Sequence, residues 1–248
     1  MNVMITGYGR MGREIENILI QRGHSIALRV DKGGYGDCTE VTADGLKGVD
    51  VVIEFSLPQG IENNIRLYAQ SKTPVVIGTT GWDDKKDIIK DIILNNKSTL
   101  LYGSNFSVGA HIFFDLVSKA AGLINNTPEY DIMMLEYHHN KKKDSPSGTA
   151  LTTAEKILKN NNRKEKIWTD KLDRAIDDNE LHVASVRGGQ IPGIHTVTLD
   201  SFADSIQITH NARNRSGFAL GAVMASEWLQ DKKGFFTVED FIEELLKK

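Results

Sequence analysis

The run Gly7-Tyr8-Gly9-Arg10-Met11-Gly12 narrows the folds open to this chain more than any other feature. It follows the apolar segment Val3-Met4-Ile5. It leads into residues 12–22, where Ile15, Ile18 and Leu19 recur at helical spacing until Gly23 stops the pattern. Strand, glycine turn and helix in that order make the opening unit of a parallel nucleotide-binding sheet. The glycines let the backbone turn tightly and approach a pyrophosphate, and the helix N-terminus offers N–H groups and partial positive charge. The alternative is a tight strand-to-helix turn without a ligand.

The rest of the first half keeps the same rhythm. Strands are expected at residues 26–30, 50–55, 74–78 and 99–102, with helices from Pro58 to about residue 70 and over 83–94. The run Asp50-Val51-Val52-Ile53-Glu54-Phe55 is almost continuously apolar, as a strand covered on both faces must be. Alternating strands and helices predict a doubly wound parallel sheet. After about residue 105 the rhythm changes. A helix at 109–124 is followed by strands at 131–137, 182–187, 195–202 and 205–210, with a helix at 147–158 and an exposed loop at 159–166. Amphipathic helices over 217–229 and 238–246 close the chain. The expected class is α/β: an N-terminal Rossmann-type doubly wound parallel sheet with a second α+β domain on a mixed, mainly antiparallel sheet.

Bulk properties exclude several functions. The 248 residues carry a net charge of -3, which argues against nucleic-acid binding, since phosphate neutralisation needs a basic face. The single cysteine, Cys38, allows no intrachain disulfide, and a reducing compartment is expected. No apolar run is long enough to span a membrane, and no signal peptide is visible before Val3. A cytoplasmic protein is expected.

Two groups of residues carry candidate chemistry. The first is the nucleotide site. Asp31 ends the second strand, where an acidic side chain accepts hydrogen bonds from an adenosine ribose; Lys32 beside it is either a partner for a 2′-phosphate or a solvated lysine. Gly78, Thr79 and Thr80 follow the fourth strand, and Ser104, Asn105 and Phe106 follow the fifth, at the edge where such sheets bind ligands. Plain turn chemistry is the competing reading for both. The second group is the run from Glu136 to Thr149. The strand at 131–137 delivers His138 and His139 to its end, pointing to opposite faces, so one suits proton transfer and the other substrate contact. Adjacent histidines lack metal-ligand spacing, and no metal is expected. Lys141, Lys142 and Lys143 form either a solvated run or a charge partner for an anion. Ser147, Gly148 and Thr149 open a helix whose free N–H groups suit a carboxylate, unless Ser147 serves only as its cap. The glycine-rich run Arg187 to His195 reads as a closing segment, a subunit contact or a flexible hairpin.

With these motifs assembled, the chain resembles the 4-hydroxy-tetrahydrodipicolinate reductase (dihydrodipicolinate reductase) family along nearly its whole length. The resemblance lies in GYGRMG at Gly7, GTTG at Gly78, SNFSVG at Ser104, EYHHNKKKDSPSGTA at Glu136, RGGQIPGIHTV at Arg187 and ITHNARNRSGFALGA at Ile208. It implies a cytoplasmic homotetramer that uses NADH or NADPH to reduce a small cyclic dicarboxylate in diaminopimelate and lysine biosynthesis. It implies proton donation by His138 and Lys142, and substrate contacts from His139, Gly148 and Thr149. Gly7 through Gly12, Asp31, Gly78 through Thr80 and Ser104 through Phe106 then correspond to the cofactor site. The last helices are expected to return to the nucleotide domain, giving residues 1–106 with 217–248 as the dinucleotide-binding domain and 107–216 as the substrate-binding and oligomerisation domain. The glycine loop is one residue shorter than the form common in the family, and Asp31-Lys32 stands where many members have Glu-Arg. Two rival readings are another two-domain reductase of a small carboxylate and a non-catalytic NAD(H)-binding sensor. Neither has a use for the whole Glu136–Thr149 motif.

Overall fold

A computed structural model of the chain describes residues 1–247. It divides into two compact units, Met1–Val108 with Arg215–Lys248, and Gly109–Asn214.

The first unit is built on a six-stranded parallel sheet. Its strands are β1 (Asn2–Thr6), β2 (Ser25–Val30), β3 (Val51–Glu54), β4 (Val75–Ile77), β5 (Thr99–Tyr102) and β11 (Gly234–Thr237), in the spatial order β11-β5-β4-β3-β1-β2. Helices α1 (Arg10–Gln21), α6 (Ser216–Trp228) and α7 (Val238–Leu246) pack on one face around Ile5, Ile15, Ile53, Leu101 and Val223. Helices α2 (Ile61–Ser71) and α3 (Lys86–Asn95) cover the other face around Met4, Val52, Ile65 and Ile89. Successive residues Val51, Val52 and Ile53 are all fully buried because alternate side chains meet different helix layers. The chain leaves β1 toward β2 on one side and returns to β3 on the other. The carboxyl ends of β1 and β3 therefore flank a topological switch point, where open α/β sheets bind ligands.

The sequence predicts five parallel strands, and the structure has six. Gly234-Phe235-Phe236-Thr237 adds to the open edge of β5, and Thr237 at once becomes the cap of α7, its hydroxyl accepting from the Asp240 N–H while Asp240 accepts from the Thr237 N–H.

The second unit is built on a five-stranded mixed sheet. Its strands are β6 (Asp131–His138), β7 (Lys166–Trp168), β8 (Glu180–Arg187), β9 (Gly193–Asp200) and β10 (Ser205–Ala212), ordered β10-β9-β6-β8-β7. The longest pairings, β10 with β9 and β9 with β6, are antiparallel; β6–β8 and β8–β7 are parallel. Helices α4 (Val108–Leu123) and α5 (Gly148–Asn160) supply the core that covers one face, with Ile132, Met134, Val183 and Val197 beneath them.

The expected exposed loop at 159–166 needs correction. α5 runs to Asn160, Asn161 is fully buried, and Lys164 is 5% exposed. Lys164 turns inward because its ammonium donates to the Asp178 and Glu180 carbonyls, both at 2.9 Å, and pairs with Asp131 at 2.7 Å. A buried charge is tolerated when it is matched in this way.

Candidate functional site

In the first unit a cavity of about 260 Å³ opens at the switch point, lined by residues including Gly7, Gly9, Asp31, Lys32 and Ser56. Gly7 has φ 89°, and a Cβ there would overlap the Phe55 carbonyl, so the loop passes β3 in a way open only to glycine. A Cβ on Gly12 would likewise strike the Gly7 carbonyl, while Gly9 faces open space. Asp31 holds the loop in place: its carboxylate accepts the Tyr8 N–H and the Gly33 N–H, both at 2.8 Å. The Arg13 and Arg29 guanidiniums each lie 5.7 Å from the Tyr8 ring centroid, and the Tyr8 hydroxyl donates to Glu16. Arg10 is exposed at the start of α1, and Met11 packs against the core.

The other nucleotide candidates divide into packed and open groups. Gly78 makes room for the Phe55 ring, and the buried Thr79 hydroxyl accepts the Ser56 N–H at 2.9 Å. Thr80 and Ser104 are exposed. Asn105 accepts the Ser107 N–H at 2.9 Å, and Phe106 is buried against Phe55, ring centroids 5.9 Å apart. Phe106 thus shapes the loop from beneath. These residues fit a dinucleotide: they combine a glycine turn in which Gly7 and Gly12 leave no room for side chains, a cavity at the switch point and a carboxylate at the end of β2.

In the second unit the chemistry gathers around Glu136, a residue to which the sequence analysis gives no role. It is fully buried on β6, between Ser185 of β8 and His195 of β9 in register. Its Oε1 accepts from the Ser147 N–H at 2.9 Å, Ser185 Oγ at 2.8 Å and Arg187 Nη2 at 2.8 Å. Its Oε2 accepts from the Ser147 hydroxyl and lies 3.3 Å from His138 Nδ1 and 3.4 Å from His195 Nε2. Burial works to raise the carboxyl, but the hydrogen bonds from His195, Ser147, Arg187 and Ser185 outweigh it and hold the group well below the usual carboxylate range.

His138 follows on the same face of β6 and is 6% exposed. Burial pushes its imidazole from the ordinary 6.5 down to about 4; the Glu136 carboxylate opposes this, and His195, Lys142 and Arg187 add to it. The ring faces Gly193, where a Cβ would come within 2.9 Å of Nε2. His139 follows the end of β6 and donates its backbone N–H to the Ile191 carbonyl at 2.8 Å; the Gly188 N–H donates to the His138 carbonyl at 2.9 Å. The glycine-rich connection is therefore laced to the histidine loop by backbone bonds. Lys142 is half-buried, its ammonium 2.8 Å from Asp144.

Ser147 caps α5: its hydroxyl accepts the Ala150 N–H at 3.2 Å and donates to Glu136. Its N–H is also spent on Glu136, so the N–H groups of Gly148 and Thr149 are the unpaired donors at this helix end among the described residues. Glu136, His138 and His195 each place a donor atom within 4.8 Å of the others. The Arg187 guanidinium already binds the same carboxylate, so a metal cation would meet a fixed positive charge; the arrangement suits a proton.

Residues 1–106 match the family model "Dihydrodipicolinate reductase, N-terminus", and residues 109–242 match "Dihydrodipicolinate reductase, C-terminus".

The chain belongs to the dihydrodipicolinate reductase family.

It is 42% identical over 247 residues to the 4-hydroxy-tetrahydrodipicolinate reductase of Christiangramia forsetii, covering 100% of both chains. It is 34% identical to that of Archaeoglobus fulgidus, covering 98% of this chain and 100% of the relative. Among solved structures, the dipicolinate-bound dihydrodipicolinate reductase from Paenisporosarcina sp. TG-14 superposes with a TM-score of 0.76 over 98% of this chain and 99% of that one, at 22% identity; this likeness concerns the fold. Membership in the dihydrodipicolinate reductase family and the dinucleotide fold imply a nicotinamide cofactor. No helix among the described residues is long and apolar enough to cross a membrane.

One sequence signal identifies Glu136. It shares the parity of the buried Ile132 and Met134 on β6, and a carboxylate on a core face requires partners. Those partners, Arg187 and His195, are brought in by strand register from fifty residues away, which no local pattern discloses.

The buried cluster contributes to the loss of stability in acid. Folded His138 titrates below its unfolded counterpart, so between about pH 6.5 and about pH 4 the unfolded chain binds the extra proton. That contribution is present above the unfolded value and is lost as pH falls. Glu136, also depressed, adds a further loss as pH falls through the ordinary carboxylate range. Thermal melts should show Tm dropping on acidification below about pH 6.5, and His138→Gln should flatten the upper part of that drop.

Proposed function

We propose that this chain reduces 4-hydroxy-tetrahydrodipicolinate (dihydrodipicolinate) to tetrahydrodipicolinate, with NADH or NADPH as reductant, in diaminopimelate and lysine biosynthesis. The observation that carries the reading is full-length similarity to reductases of that name, together with a buried histidine beside an open helix N-terminus. When bound, the nicotinamide supplies the hydride. The chain's own residues bind the dicarboxylate and supply the proton. The Gly148 and Thr149 N–H groups and the Lys142 ammonium hold a carboxylate. Lys142 is the second proton donor, and His138, whose buried imidazole favours the neutral form, takes up a proton as an anionic ring arrives. In the imine that proton completes the ring after hydride addition; in the alcohol it leaves with hydroxide as water. A calorimetric titration of dipicolinate into protein loaded with NADH tests the substrate class. Saturable binding, weakened in Lys142→Ala, is expected, and absence of binding would count against the reading.

Gly7 through Gly12 cradle the pyrophosphate and Asp31 receives the adenosine ribose in this reading. Lys32, adjacent to Asp31 at the cavity, offsets the carboxylate when a 2′-phosphate is present. Lys32→Ala should raise KM for NADPH by roughly fivefold, about 1 kcal/mol for an exposed charge pair, with little change for NADH. Equal effects on both cofactors would remove Lys32 from this role.

The assembly we infer is a cytoplasmic homotetramer. It is supported by the sheet face opposite α4 and α5, where Met133, Leu135 and Tyr137 of β6 lie beside Ile194 and Thr196 of β9, all at least partly exposed. A contiguous apolar sheet face is an association surface. Light scattering should give four times the chain mass, and a smaller species for Leu135→Glu. A monomeric wild type would refute it.

A further inference from the structure

The Glu136 cluster holds more than a helix cap needs. Ser147 alone satisfies the first turn of α5, yet the carboxylate beneath it also collects Ser185, Arg187 and two histidines across three strands. As a purely structural element such a buried ionic cluster is replaceable by apolar packing at little loss. Its effect on His138 is not replaceable in that way.

The two nitrogens of His138 differ. Nδ1 is sealed from solvent and points toward Glu136 Oε2 at 3.3 Å, without the alignment of a finished hydrogen bond. Nε2 lies at Gly193, has no hydrogen bond among the described residues and is not among the sealed atoms. Catalytic hydrogen bonds that are long in an empty site tighten when the complex forms. A carboxylate behind one imidazole nitrogen fixes the tautomer and stabilises the imidazolium formed when the other nitrogen takes a proton.

We propose that Glu136 is the positioning residue for His138: its Oε2 keeps the proton on Nδ1 and leaves Nε2 as the nitrogen that exchanges a proton with substrate and solvent. The proposal rests on the reading that His138 moves a proton in this reaction. Nε2 takes a proton from solvent, gives it to the substrate and returns to the neutral ring, while Nδ1–H stays in place. Through Ser147 the same carboxylate is tied to the α5 N-terminus, so ring orientation and the carboxylate-binding turn share one anchor. The other charged or titratable groups facing His138 are His195 on β9, Arg187 on β8 and Lys142 in the following loop, itself paired with Asp144; His210 stacks behind His195 with ring centroids 6.3 Å apart.

The experiment combines histidine nitrogen NMR with steady-state kinetics on wild type, Glu136→Gln and Glu136→Asp, the His138 signals being assigned by their absence in His138→Gln. Wild type should show the Nδ1–H tautomer. Glu136→Gln should titrate at lower pH at His138 and lose roughly 10–100-fold in kcat with KM for reduced cofactor unchanged, and Glu136→Asp should recover part of that loss. A role confined to capping α5 would lower Tm but leave tautomer, titration and kcat as in wild type, and that result would overturn the proposal. An Nε2–H tautomer in wild type would overturn it too, even if Glu136→Gln fails to fold. Absence of turnover by wild type would sink the reductase reading alone, because the tautomer and its dependence on Glu136 are read without substrate.

Discussion

Replacing His138 with glutamine is expected to lower kcat by roughly 10²–10⁴-fold, the usual contribution of a positioned acid or base. Affinity for NADH and NADPH should not change, because the cavity assigned to the cofactor is lined by residues of the first unit. Glutamine retains a polar group of similar reach, so the Glu136 cluster keeps a neighbour and the protein should still fold. The split between kcat and cofactor affinity separates loss of proton transfer from general damage. Stopped-flow measurement of the hydride step, with cofactor binding followed by fluorescence, decides it. An unchanged kcat would remove His138 from the chemistry and leave Lys142 as the donor.

Gly7→Ala is expected to have the second largest effect, this time on the cofactor. At φ 89° an L side chain is strained, by about 1–2 kcal/mol, and here the added carbon would also overlap the Phe55 carbonyl. Overpacking of this kind costs about 1–3 kcal/mol more. The loop has to move away from β3, and with it goes Tyr8, whose N–H is fixed to Asp31. Chemical denaturation should show a loss of about 2–5 kcal/mol, and cofactor affinity should fall by more than tenfold. An unchanged denaturation midpoint together with unchanged affinity would mean that the turn is not the cradle described above.

The first unit was readable in outline because parallel strands buried on both faces leave unbroken apolar runs such as Val51-Val52-Ile53, and glycine turns punctuate them. β11 escaped because Phe235 and Phe236 are a single apolar pair directly before a helix; the open edge of β5, more than a hundred residues earlier, makes them a strand. β7, only Lys166-Ile167-Trp168, is strand because β8 lies beside it. The sequence predicts an exposed loop at 159–166 because the carbonyls and the Asp131 carboxylate that match the buried Lys164 are distant in sequence.

The site shows the same division. The motif from His138 to Thr149 carries its chemistry in local order: imidazoles, ammonium, then helix N-terminus. Glu136 stands at the head of that motif, but its importance depends on Arg187 and His195 arriving by register from β8 and β9. The sequence leaves the connection before His195 open as a closing segment, a subunit contact or a flexible hairpin, because its glycines are locally permissive. In the fold, Gly193 is small because the His138 ring occupies the space beside it.

The measurement that bears most directly on the central claim is consumption of NADH and of NADPH with freshly formed 4-hydroxy-tetrahydrodipicolinate, run on wild type and Lys142→Ala side by side. The account predicts turnover by wild type, formation of tetrahydrodipicolinate, and a fall in kcat of at least ~100-fold in Lys142→Ala. Cofactor binding without turnover by wild type would contradict it and favour a binding protein or a reductase of a different carboxylate.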